Sequence, residues 1–92
     1  MISIKIGEKQ HDAMFTIRAK KIFKEVRGKD IVDITESDED TIAMIYSMIG
    51  AAYAYKKLPI PVTIEEIEDG VEIAEIAKAI KSMTAPTLEG GE

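Results

Sequence analysis

The chain has 92 residues, which is the length of one small domain near the lower limit for independent folding. Its net charge is −5 and its pI is about 4.9, whereas a general nucleic-acid-binding domain is usually basic. It has no cysteine, which excludes disulfides and thiolate metal sites. The N-terminus does not have the pattern of a signal peptide, so we expect a cytoplasmic protein with no membrane association.

The N-terminal segment predicts a β-hairpin. Ile2, Ile4 and Ile6 alternate with polar residues, which is typical of a strand with one buried face. Gly7 begins a turn, and a weaker alternation follows over residues 10–15. A lone hairpin is not stable in water, so we expect its isoleucine face to pack on helices.

The next segment predicts a helix that begins after Thr16 and ends at Gly28. Half of the twelve Lys and Arg residues of the chain fall in the window 18–29. This basic strip is either a solvated helix face or a docking surface for an acidic partner, which includes the acidic segments of the chain itself. The candidate contacts are Arg18, Lys21 and Lys24.

The stretch from Thr41 to Tyr55 is uncharged and predicts a central helix between Asp40 and Lys56. It is too short to span a membrane, which takes roughly 20 apolar residues. A helix that is apolar all round must be buried all round, so it is either the hub of the fold or a docking site for another chain. The chain has no Trp and only five aromatic residues with which to build a core, so we expect a homo-oligomer that associates through this helix. One stripe has a small residue that permits close approach and tyrosines that are typical of interfaces; it consists of Tyr46, Gly50 and Tyr53.

The C-terminal part predicts a capping box at Thr63, a short helix that Gly70 interrupts, and a further helix over residues 71–83. The predicted solvent side of this last helix consists of Glu72, Glu75, Lys78 and Lys81. Residues 84–92 are predicted to be a flexible tail. The expected fold is therefore a single α+β domain over residues 1–83, with an N-terminal β-hairpin packed on a small bundle of about four helices.

No arrangement of residues indicates catalysis. His11 is the only histidine, and no cysteine or serine pairs with it in a recognisable nucleophile motif. Acidic residues cluster over 30–40 and 65–75, but neither cluster has the spacing of a calcium loop, and helix N-termini explain most of both. We therefore expect a binding protein that is not an enzyme and has no metal or cofactor.

The order of the elements resembles a known family. An Ile-x-Ile-x-Ile-Gly hairpin precedes Phe15-Thr-Ile-Arg-Ala19, a short helix ends at Gly28-Lys-Asp-Ile31, and an apolar helix with Ala-Ala-Tyr53 leads to Thr63-Ile-Glu-Glu66. Over about residues 2–83 this pattern resembles the tail assembly chaperones of long-tailed bacteriophages and prophages. The resemblance implies a self-associating protein of the bacterial cytoplasm that binds the tape measure protein and the tail tube protein. The alternative is a small regulatory domain that uses its basic first helix against nucleic acid or an acidic protein.

Overall fold

The computed structural model describes the backbone of residues 1–90 and the side chains of residues 1–83. An antiparallel hairpin comes first, and four helices with one short 3-10 turn follow it. The elements are β1 (Ile2–Ile6), β2 (Lys9–Ala13), α1 (Ile17–Arg27), the 3-10 turn (Ile31–Asp33), α2 (Asp38–Tyr55), α3 (Ile64–Gly70) and α4 (Ile73–Gly90). The predicted α+β fold, a hairpin on four helices, is confirmed. None of the helices in the described part of the chain is both long and apolar enough to cross a membrane.

The hairpin has the predicted alternation. Ile4 and Ile6 are buried, whereas Lys5 between them is exposed. Ile4 pairs with His11 across the hairpin, and Gly7 takes the positive φ of 63° that the tight turn requires. β2 packs on α2, and β1 packs on α3 and α4, so the hairpin is stabilised by the helices as expected.

Helix α1 has the bounds that its cap residues predict. Gly28 follows it in the left-handed conformation, with a φ of 76°, and its N–H donates to the carbonyl of Lys24 at 2.7 Å. Ala19 and Phe23 are completely buried against the rest of the core. The basic residues of α1 consequently lie on its outer side.

Helix α2 is the hub of the fold. It packs against α1, β2, α3 and α4, and its middle, from Ala43 to Ala52, is buried except for Tyr46. Its N-terminus is capped by Ser37, whose Oγ accepts from the N–H of Asp40 at 3.2 Å. Lys57 leaves the helix with a positive φ of 63°, and the chain then returns across α2 through residues 58–62.

Helix α3 opens with the predicted capping box. The Oγ1 of Thr63 accepts from the N–H of Glu66 at 3.1 Å, and the Glu66 carboxylate accepts from the N–H of Thr63 at 2.9 Å. At its other end the carbonyl of Gly70 accepts from the N–H of Gly7 at 2.9 Å. This hydrogen bond joins the turn of the hairpin to the C-terminal end of α3.

Helix α4 differs from its prediction in two ways. It extends to Gly90, beyond the predicted end at Met83. The flexibility predicted for residues 84–92 stays a prediction, and residues 91 and 92 lie outside the described part of the chain. Its predicted solvent side also carries contacts: the Glu75 carboxylate accepts from the N–H of Lys5 at 2.9 Å, and Lys78 donates to the carbonyl of Ser3 at 2.8 Å. These charged groups satisfy backbone groups at the open edge of β1.

Candidate functional site

Gly50 is a close-approach point, and its neighbours are side chains of the same chain. A Cβ atom at this position would lie 2.9 Å from Cδ1 of Ile22 and 3.1 Å from Cδ1 of Ile60. Ile22 comes from α1 and Ile60 from the segment that returns across α2. Gly50 is buried by these contacts and does not face an open surface.

The two tyrosines of the stripe are half-buried and pack against the core. The ring of Tyr53 meets that of His11 edge to face, with 6.5 Å between centroids. Nζ of Lys56 lies 4.8 Å from the centroid of the same ring and also pairs with Asp12. The stripe of Tyr46, Gly50 and Tyr53 is therefore largely occupied by contacts within the chain.

The basic strip of α1 is divided by its ion pairs. Lys24 pairs with Asp30 at 3.4 Å, while Arg27 and Lys29 both contact Asp40 at 2.8 Å. The acidic segment after α1 thus neutralises the C-terminal half of the strip. Among the side chains that the structure describes, Arg18 and Lys21 form no ion pair. The N-terminal half of α1 therefore keeps its positive charge available.

Asp40 is fully buried and has partners on both carboxylate oxygens. Besides the two cations, the N–H and the Oγ1 of Thr35 both donate to it at 2.8 Å. The hydrogen bond from Lys29, followed by those from Thr35, holds the pKa of Asp40 far below its usual range. The sequence predicts only that this acid favours the N-terminus of α2. Its role in joining α1, the 3-10 turn and α2 depends on contacts that no local pattern indicates.

A groove runs between the start of α1 and the end of α2, with a volume of about 380 Å³. We call it the α1–α2 groove; its lining residues are Met14, Thr16, Ile17, Arg18, Ala51, Ala54 and Tyr55. Ile17 is 65% exposed and Tyr55 is 73% exposed, although both have large apolar side chains. Apolar surface that is grouped in this way is typical of an interaction site.

A second apolar groove, of about 410 Å³, lies between the N-terminal part of α2 and α4. Ile34, Met44, Ile80 and Met83 supply its apolar lining, and Ile80 is 50% exposed. We call it the α4 groove. Each groove lies towards one end of α2, since Met44 lines the α4 groove and Ala51 and Ala54 line the α1–α2 groove.

A third cavity, of about 460 Å³, lies between the hairpin and α3 and includes the only histidine. Burial, and next the charge of Lys9, lowers the pKa of His11. Glu66, which also lines this cavity, is engaged in the capping box of α3. In the described part of the chain, no group of three or more His, Cys, Asp or Glu side chains is placed to hold a metal ion.

No family model, curated protein or solved structure gives a match to this chain.

Proposed function

We propose that this protein is a phage tail assembly chaperone that is not an enzyme. It covers apolar surface of the tape measure protein or the tail tube protein in the cytoplasm of the bacterial host until the tail is built. The observation that carries the proposal is the apolar surface that the folded domain leaves open. Its large exposed side chains include Ile17, Val32, Tyr55, Leu58, Ile73 and Ile80.

The grouping of this apolar surface matters more than its amount. Single exposed apolar side chains are normal on soluble proteins. Here Ile17 and Tyr55 line one groove, and Ile80 lines another with Met83. Covering apolar surface yields roughly 25 cal/mol for each Å² removed from water, so such grooves favour docking of an apolar segment.

The charge of the chain suits the same role. Long apolar segments of unassembled proteins are prone to aggregate. A bound chaperone with a net charge of −5 makes the complex more negative, and this charge opposes association between complexes. The resemblance to tail assembly chaperones in the order of the elements supports this role independently of charge.

Self-association is part of the proposal, at a different place from the one predicted. The middle of α2 is buried within the monomer, so it has no face to offer a second copy. The exposed apolar positions outside it, such as Leu58 and Ile73, are the surface that a second copy can cover. Light scattering over a concentration series tests this point, and a monomer at high micromolar concentration would contradict it.

The test of the proposed function is co-expression with the cognate tape measure protein. We expect the partner to become soluble and to copurify with this chain. The double variant Ile17→Ser with Tyr55→Ser should lose this effect, since it removes the apolar walls of one groove. The matched control is Val32→Ser, because Val32 is exposed but lines neither groove. If neither the tape measure protein nor, in a separate co-expression, the tail tube protein becomes more soluble with this chain, the proposed function is wrong.

The second candidate function is a regulatory domain that uses α1 against nucleic acid or an acidic protein. Arg18 and Lys21, which form no ion pair with the described side chains, favour it, whereas the ion pairs of Lys24, Arg27 and Lys29 reduce the positive field of the helix. Nucleic-acid binding would weaken steeply with salt, because each phosphate contact releases counterions. A salt titration with a DNA duplex therefore separates the two functions.

A further inference from the structure

The α1–α2 groove combines apolar walls with unneutralised positive charge. Ile17 and Tyr55 form its exposed apolar sides, and the small side chains of Ala51 and Ala54 leave room between them. Arg18 lines the groove without an ion-pair partner among the described side chains. Lys21 is also exposed and forms no ion pair with a described side chain, and it lies one helical turn beyond Ile17.

The start of α1 adds to this positive charge. Thr16 is at the N-cap but makes no side-chain cap hydrogen bond, and the first turn of α1 contains no acidic residue. Helices α2 and α3 differ in both respects, because each has a side-chain cap and acids in its first turn. The positive end of the α1 dipole therefore faces the groove without compensation. In a chain with a net charge of −5, this is a local region of opposite sign.

We infer that the α1–α2 groove binds an acidic amphipathic helix of the partner protein. Apolar side chains of that helix lie between Ile17 and Tyr55, and its carboxylates pair with Arg18 and Lys21. The inference rests on the proposed function and specifies the client segment, which must be acidic as well as apolar. A helix fits better than a strand, because both walls are helices and offer no open sheet edge to a strand.

The test uses designed peptides with the unaltered 92-residue chain. The probe is a fluorescently labelled peptide of about 18 residues, or five helical turns, with leucines along one face and glutamates elsewhere. In one control peptide lysines replace the glutamates, and in another alanines replace the leucines. We expect saturable binding, measured by fluorescence anisotropy, for the acidic leucine peptide only, and we expect added salt to weaken it.

Two pairs of variants locate the binding. Arg18→Glu should weaken binding about tenfold, while Lys9→Glu, which changes the net charge equally but lies in the hairpin, should change it less than about twofold. Ala54→Trp should fill the groove and reduce binding, whereas Ala77→Trp, at an exposed alanine of α4, should not. Circular dichroism of each variant checks that the fold is retained.

Several results would overturn the inference. They are the absence of saturable binding to the acidic leucine peptide, equal binding of the lysine peptide, and equal effects of Arg18→Glu and Lys9→Glu. If the chain alone dimerises and Ala54→Trp abolishes the dimer, the groove belongs to a second copy and the inference is also wrong.

The peptide does not come from a tail protein, so its result is separate from the co-expression result. Rescue of the tape measure protein without peptide binding overturns the groove assignment, and peptide binding without rescue overturns the proposed function.

Discussion

Gly50 sets how closely α1 and the returning segment approach the middle of α2. A Cβ atom there would lie 2.9 Å from Cδ1 of Ile22, and 3.1 Å and 3.6 Å from Cδ1 and Cγ1 of Ile60. Carbon atoms in favourable contact are about 3.5–4.0 Å apart, so one added methyl group displaces both isoleucine tips by roughly half an ångström. We predict that enlarging Gly50 destabilises the monomer itself, not an interface between copies.

The expected size depends on the added side chain. In Gly50→Ala, the gain in helix propensity of about 1 kcal/mol offsets the small displacement of two flexible side-chain ends. The free energy of unfolding should therefore change by less than about 1 kcal/mol. In Gly50→Leu, three further carbons must enter filled space, so we expect a loss of about 1–3 kcal/mol.

Urea denaturation followed by circular dichroism measures these changes. The double variant Gly50→Leu with Ile60→Ala makes room for the leucine, so the two changes should couple favourably by about 0.5–3 kcal/mol. Strictly additive changes would refute the packing argument. A Gly50→Leu monomer that is as stable as the natural chain would also refute it. If that variant in addition failed to self-associate, Gly50 would belong to an interface between copies.

Three further predictions concern stability. Ile4→Ala should cost about 2–5 kcal/mol and Ser3→Ala less than about 0.5 kcal/mol in urea denaturation, because Ile4 is fully buried and Ser3 faces outward; equal costs would mean that the strand is not one-sided. Burial lowers the pKa of His11, so its contribution to stability is present above about pH 6.5 and is lost as the pH falls further. The natural chain should therefore lose stability between pH 7 and pH 5, and His11→Gln should flatten this slope; an unchanged slope contradicts the assignment. Asp40, whose pKa is lowered by Lys29 and Thr35, contributes stability above about pH 4 that is lost on acidification. Asp40→Asn should be less stable at pH 7 and less sensitive to acid, and equal acid sensitivity in both proteins would count against it.

Local signals account for the part of the fold that the sequence predicts well. The alternation of Ile4 and Ile6 with Lys5 depends only on the two-residue period of a strand, and the structure has it. The capping box at Thr63 and the glycine end of α1 at Gly28 likewise depend on residues a few positions apart. Such patterns are complete within one segment, so they do not require knowledge of the tertiary fold.

The candidate site was harder to predict, because it depends on contacts between distant segments. The stripe with Gly50 has the composition of an interface, but Ile60 returns after a left-handed Lys57 and covers it. Glu75 and Lys78 have the spacing of a solvated helix face, but the open edge of β1 supplies them with backbone partners. Neither outcome has a periodic signal in the sequence.

The burial of the uncharged central helix explains why the proposed interaction surface lies elsewhere. α2 is uncharged because the hairpin, α1 and α3 surround it, and its buried Ser47 satisfies its own hydroxyl by donating to the carbonyl of Ala43 at 2.6 Å. In a chain of this size, surrounding one long helix uses the inner faces of all the other elements. The apolar residues at the ends and outer faces, such as Ile17, Tyr55 and Ile80, then have nothing left to cover them. The same packing that makes α2 the hub therefore leaves two grooves beside it. Arg18 adds positive charge to the α1–α2 groove, for which we propose an acidic helix as the occupant.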